Sequence, residues 1–155
     1  MEGVHQVMVE LHDRALGYLR DDGCRLLHVV TTATARKATL ETLRGLEVSP
    51  LAPGPFAELT TPHDSGAPGW DLRADELRAI YDARRNDADD GEPWPELPLR
   101  PSAGGLAGFA GQLAQILACT PGGRPWVVLL APTHVRLVPH WVRAIAMLLA
   151  GDGLG

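Results

Sequence analysis

Residues 25–37 are the starting point for the fold; they read Arg-Leu-Leu-His-Val-Val-Thr-Thr-Ala-Thr-Ala-Arg-Lys. The run at 26–31 predicts a buried β-strand, because aliphatic and β-branched residues dominate it. A helical pattern follows from Thr34 to Gly45, with Leu40 and Leu43 spaced to share one face. A strand that passes through a short turn into a helix is the unit from which α/β folds are built.

The rest of the chain continues this alternation of helices and strands. Further helices are predicted at 4–20, from Pro68-Gly69 or Asp71 onward, at 106–118 and at 141–149. The strongest strand is 126–131, an apolar run between two prolines that is typical of a central parallel strand covered on both faces. A short strand is predicted at 56–60.

Two convincing strands are fewer than a stable open sheet usually has. We therefore predict a single α/β domain over residues 1–155, with an open, mostly parallel sheet of few strands flanked by helices. The predicted architecture is an incomplete or partner-completed three-layer sandwich. It is either the front piece of a larger α/β domain or a small domain that completes its sheet with another chain. Proline-rich loops are predicted at about 48–69 and 87–104.

The net charge of −5 is concentrated between Asp71 and Glu96, where nine acids stand against four arginines. No basic stripe exists elsewhere in the chain, so binding to nucleic acid is disfavoured. The acidic segment is interpreted as a solvated face, and the alternative is a docking site for a basic partner.

Composition also favours a cytoplasmic protein that does not bind membranes. The longest apolar run, 126–131, is far shorter than a membrane span, and the N-terminus lacks the pattern of a signal peptide. The two cysteines, Cys24 and Cys119, lie in no motif and are expected to be reduced. Thirteen arginines against one lysine indicate a GC-rich, bacterial-like coding genome. No cofactor and no metal site is predicted.

The strand and turn at 26–37 resemble the first strand and phosphate loop of P-loop NTPases, and 126–132 is similar to a later apolar strand of that family. A Rossmann-like core is the other resemblance. The match departs from the P-loop pattern at the positions that carry chemistry. The family's first glycine falls on Thr31 or Thr32, its second on Arg36, and its magnesium-binding hydroxyl on Ala38. The resemblance therefore implies a degenerate core that does not hydrolyse ATP.

The turn before the second helix is the first candidate ligand site. Thr34, Arg36 and Lys37, the only lysine of the chain, stand where a helix begins, and helix N-termini attract anions. His134 follows the strong strand and would lie at the same edge of a parallel sheet. These four residues form the predicted ligand-binding set. An ordinary strand-to-helix connection with threonine caps is the alternative.

A second candidate site lies in the loops after the predicted strands at 56–60 and 126–131. His63, Asp64 and His134 could converge there as an acid–base or metal site, although their spacing does not require it. An enzyme that used them is the least favoured hypothesis, and no catalytic residue is assigned.

Trp70 and Trp94 lie in polar or proline-rich surroundings, so one or both are predicted to be partly exposed and to mark an interface. The alternative for Trp70 is a hydrophobic staple before its helix. Together with the incomplete sheet, they predict a non-catalytic protein-interaction or scaffold module. We expect a homo-oligomer or a hetero-complex with another protein. The alternative function is a regulatory domain that senses a nucleotide or small anion at the turn after the first strand.

Overall fold

The computed structural model describes residues 2–21, 26–64, 66–88 and 93–150. Within these residues the fold is mixed α/β, with five α-helices and a parallel sheet of two strands. In chain order the elements are α1 (Glu2–Arg20), α2 (Arg36–Gly45), a 3-10 turn (Leu46–Val48), β1 (Phe56–Leu59), α3 (Ala67–Asp87), α4 (Gly105–Cys119), a second 3-10 turn (Pro121–Gly123), β2 (Val127–Leu130) and α5 (Val138–Ala150). All five predicted helices are present. None of the described helices is long and apolar enough to cross a lipid bilayer.

The chain divides into two compact units, Met1–Phe56 and Ala57–Gly155. The single α/β domain over 1–155 stays a prediction. The two strands and the helices α3 to α5 belong to the second unit, apart from the first residue of β1.

In the first unit α1 and α2 contact each other, and Ala15 and Leu40 are buried. The predicted strand at 26–31 is wrong: these residues form no strand, and Val30 is 84% exposed. The preference of valine and leucine for strands reflects packing on a pleated surface, so a segment that joins no sheet does not become a strand. The next segment leads into α2 through a turn in which the Thr32 hydroxyl accepts the Ala35 N–H at 3.1 Å.

In the second unit β1 and β2 run parallel, and α3 and α4 lie between them in the chain. Both strands had been predicted. The Leu59 carbonyl accepts the N–H of Ala131 at 2.9 Å, and the pairing extends beyond the strands to a parallel bridge between His63 and Val135. The loops that follow the two strands are therefore held side by side at the carboxyl edge of the sheet.

The core of the second unit joins α3 and α4 to α5 and the sheet. Its largest buried side chains include Trp70, Tyr81, Phe109 and Ile116, and the partly buried Val128 and Leu130 pack against them. Val128 and Leu130 are two residues apart in β2, so their side chains point to the same face of the sheet, and that face packs on this core. Burial of this apolar surface is the main source of stability for the unit.

The proline-rich loops differ from the prediction in one of two places. The loop at 48–69 contains β1, as predicted at 56–60, but it ends earlier, because α3 already begins at Ala67, with Pro68 in its first turn, where proline is tolerated. Residues 93–104 have neither helix nor strand, as predicted. Side chains of α3 anchor this segment: the Tyr81 hydroxyl donates to the Pro95 carbonyl at 2.7 Å, and Arg78 Nη2 donates to the Pro98 carbonyl at 2.7 Å.

The prediction that the strong strand is central and covered on both faces is wrong for the described residues. Among the described residues, β1 is the only strand hydrogen-bonded to β2. All four side chains of β2 are half-buried. The apolar run predicted the strand correctly but could not predict how many strands would flank it.

Candidate functional site

Polar residues of the second unit lie close together at the carboxyl edge of the sheet: His63, Asp64, His134 and Arg136. The N–H of His63, after β1, donates to the carbonyl of His134, after β2, at 2.9 Å. The N–H of Arg136 donates in turn to the carbonyl of His63 at 2.9 Å. These bonds fix the two loops relative to each other. In α/β folds this edge is where ligands bind.

Asp64 and His134 meet on the surface of this edge. His134 Nε2 contacts Asp64 Oδ1, and Arg136 Nε lies 3.5 Å from the same oxygen. The expected convergence of His63, Asp64 and His134 therefore occurs for Asp64 and His134, whereas the His63 side chain pairs with His140. Among the described residues no group of three or more His, Cys, Asp or Glu side chains is arranged to hold a metal ion.

His63 is buried, with 1% of its surface exposed, and pairs with the first turn of α5. Its Nε2 lies 3.0 Å from His140 Nδ1, and the two rings stack with their centroids 5.2 Å apart. Its Nδ1 is buried and has no hydrogen-bond partner among the described residues. Burial lowers the pKa of His63, as do Arg73 and His140, while Asp64 opposes the shift. The neutral form is therefore favoured at pH 7.

Arg73 lies beneath this histidine pair and is fully buried, at 0% exposure. Its guanidinium carbon lies 4.5 Å from the ring centroid of Trp70 and 5.0 Å from that of Trp141. Its Nη2 donates to the Thr61 carbonyl at 3.1 Å, but Nη1 is buried without a partner among the described residues. Burial lowers the pKa of Arg73 and the Glu76 carboxylate opposes this, yet an arginine side chain stays charged in proteins.

Trp70 is buried, so of the two tryptophans only Trp94 has the predicted partial exposure. Only 2% of the surface of Trp70 is exposed, and its ring stacks on Trp141 at 5.6 Å with an angle of 6° between the planes. A surface role for Trp70 therefore loses its basis. Trp94 is half-buried and packs against Tyr81 and Trp126, so its role at an interface stays a prediction.

Glu76 occupies a place where an anion could otherwise bind. Its carboxylate accepts the N–H groups of Thr60 and Thr61, each at 3.0 Å, and also contacts the Thr61 hydroxyl. Successive N–H groups at the end of a strand form an anion-binding concavity. In the second unit this concavity is filled by a side chain of the protein itself.

The other predicted ligand residues, Thr34, Arg36 and Lys37, belong to the first unit. Thr34 is exposed in the turn, and Arg36 and Lys37 are the first residues of α2. The Lys37 side chain is 87% exposed, and its Nζ lies 4.0 Å from a Glu41 carboxylate oxygen one turn later. A pair of this kind contributes little to stability.

Sequence reasoning missed Arg73, Glu76 and Trp141; it placed His140 beside the loop after the strong strand but did not predict its pairing with His63. One signal was present: Trp70 and Arg73 are three residues apart in a helical pattern, a spacing that lets a guanidinium reach an aromatic ring. Glu76 lies in the acidic segment and was taken for a solvated residue. Nothing local to residues 138–141 indicates that His140 contacts His63.

No family model, no curated protein and no solved structure matches this chain. The resemblance to a degenerate P-loop or Rossmann-like core stays a prediction from the residues that carry it.

Proposed function

We propose that this chain is a non-catalytic α/β module that associates with another protein chain, and that the partner is a second copy of itself. The observation that supports this proposal is that β2 pairs with β1 only, among the strands of the described residues, so its other edge is open there. The Ala131 N–H points toward β1, and backbone groups of alternate residues point to opposite sides of a strand. Val128 and Leu130 therefore direct their N–H and C=O groups away from β1.

The composition of β2 supports pairing at this edge. Its residues are Val, Val, Leu and Leu, with none of the lysines or prolines that protect edge strands from association. The helix that follows, α5, also exposes Val138 and Val142, which are four residues apart and therefore share one face. A soluble protein rarely leaves such groups uncovered together.

Symmetry makes a second copy the natural partner. A two-fold axis places two identical edges side by side in antiparallel register, so that the same backbone groups pair on both sides. Two copies of β1 and β2 would then form one sheet of four strands. This would be the partner-completed sheet expected from the sequence. The free thiol of Cys119 is compatible with a reducing cytoplasm as the place of action.

The filled concavity at Glu76 further supports an interaction role over nucleotide binding at the N–H groups of Thr60 and Thr61. A phosphate would have to displace the carboxylate from two N–H groups of the backbone. Displacement costs free energy, since each hydrogen bond to a charged group is worth about 1.5–3 kcal/mol.

The open edge can be tested with a proline substitution. Because the Val128 N–H points away from β1, we expect Val128→Pro to keep the sheet but to convert a dimer into a monomer. Light scattering coupled to size exclusion would measure the mass, and circular dichroism would show that the variant is folded. Val128→Ala keeps the N–H and is expected to remain dimeric. A native chain that is monomeric at micromolar concentrations would refute self-association.

A second candidate function is the sensing of a nucleotide or small anion at the start of α2. The observation that favours it is that Ala35, the N-cap residue of α2, provides no side-chain cap, and that the exposed Lys37 lies in the first turn. If this candidate is correct, inorganic phosphate raises the melting temperature and Lys37→Ala abolishes the rise. A rise that persists in Lys37→Ala would contradict it.

A further inference from the structure

We propose that the N-terminal end of α3 binds a small oxyanion, a carboxylate or a phosphate group. This α3 anion site consists of the first turn of α3 together with Arg73, His63 and His140. It lies in the second unit at the end of β1, and it is independent of the self-association proposed above.

The first turn of α3 has the donors that such a site needs. This helix of 21 residues begins after Gly66, which provides no side-chain cap. The first N–H groups of any helix have no partner within the helix, and the helix dipole adds partial positive charge there. Pro68 has no N–H, so Ala67 and Gly69 carry the donors of this turn. Helix ends of this kind bind anions in many proteins.

Arg73 is the independent observation that points to a ligand. Its side chain is fully buried, and its Nη1 has no hydrogen-bond partner among the described residues. A β-carbon built on Gly69 would lie 3.3 Å from this Nη1, so the unpaired donor lies directly against the first turn. Among the described residues, no carboxylate oxygen lies within 4.0 Å of an Arg73 side-chain nitrogen. A buried charge without such a partner is costly, and an anion would compensate it.

His140, in the first turn of α5, lies beside the start of α3 and pairs with His63, which follows β1. A β-carbon built on Gly66 would lie 3.4 Å from His140 Cε1 and 3.6 Å from its Nε2. When His63 Nε2 donates to His140 Nδ1, the neutral His140 ring carries its proton on Nε2, which faces Gly66. His140 then offers a donor beside Gly66, at the start of the same helix whose first turn lies against Arg73 Nη1. Trp70 and Trp141, which stack on each other, hold Arg73 and His63 in position.

His63 couples the site to pH. Arg73 on α3 and His140 on α5 oppose protonation of His63, and Asp64 favours it. A bound negative charge would offset Arg73 and favour the protonated His63 ring. Because binding takes up a proton, we expect tighter binding at pH 6 than at pH 8.

The test uses the whole chain in chloride-free buffer, titrated with acetate and, separately, with inorganic phosphate. We expect a saturable rise in melting temperature and heat of binding by calorimetry. Gly69→Ala places a methyl group against Arg73 Nη1 and is expected to weaken binding by about tenfold or more, since a charge-assisted hydrogen bond is lost. The matched control is Gly17→Ala in α1, where an added β-carbon meets nothing within 4 Å.

The outcomes separate this site from the alternatives. A response to acetate alone identifies a carboxylate ligand, and a response to phosphate alone identifies a phosphate group. No saturable response from the native chain to either anion overturns the proposal. Equal binding by Gly69→Ala and Gly17→Ala also overturns it, as does a loss that occurs only in Lys37→Ala. The mass measured for Val128→Pro is a separate result, so failure of one proposal does not imply failure of the other.

Discussion

Replacing Trp70 with alanine is expected to lower the free energy of unfolding by about 3–5 kcal/mol, the range measured when large buried aromatic residues are truncated. The ring lies at 2% exposure between Trp141 and Phe109, with centroid distances of 5.6 and 5.0 Å. Its loss would leave a cavity and would also remove the nearer of the two rings that face the Arg73 guanidinium. Urea unfolding followed by circular dichroism is the appropriate measurement, because tryptophan fluorescence changes with the substitution itself.

Two further variants make this result specific. Trp70→Phe keeps an aromatic ring in the core and is expected to cost clearly less than alanine. Trp94→Ala removes a half-buried tryptophan and is expected to cost about 1–2 kcal/mol, because truncation at a partly solvated site leaves a smaller cavity. Equal losses for Trp70→Ala and Trp94→Ala would contradict the burial of Trp70.

The second large effect is expected at Glu76. Glu76→Ala would leave the N–H groups of Thr60 and Thr61 without their acceptor, in a partly buried position at the end of β1. We expect a loss of about 2–3 kcal/mol in the free energy of unfolding, because two charge-assisted hydrogen bonds disappear together. Glu76→Gln keeps one acceptor oxygen and is expected to lose about half as much.

Asp75 provides the matched control on the same helix. Its Oδ1 lies 2.8 Å from Arg100 Nη1, but both side chains are about half exposed. An exposed pair of this kind contributes about 0–1 kcal/mol, so Asp75→Ala should change stability little. If Glu76→Ala and Asp75→Ala had the same small effect, the Glu76 carboxylate would not hold the loop after β1.

The candidate sites show where sequence reasoning reached its limit. The pairing of Asp64 with His134 was within reach, because loops that follow parallel strands end at the same edge of the sheet. The two nitrogens of Arg73 and His63 that lack a hydrogen-bond partner among the described residues could not be predicted, because the pairing of a buried group depends on every neighbour in three dimensions. Lys37, the only lysine, was predicted to bind a ligand; its side chain is 87% exposed, and its Nζ lies 4.0 Å from a Glu41 carboxylate oxygen on the same helix.

The sequence by itself determined the five helices, the two short strands β1 and β2, and the absence of a long apolar span. Helical hydrogen bonds join residues four apart, so a local pattern of apolar residues and of glycine and proline is enough to predict the helices. Only the tertiary structure decided that 26–31 joins no sheet, that β2 has one neighbour among the described strands, and that Trp70 is buried. The reason is physical: a strand and a buried side chain are both defined by partners distant in the chain, and no local pattern specifies which partners will be present.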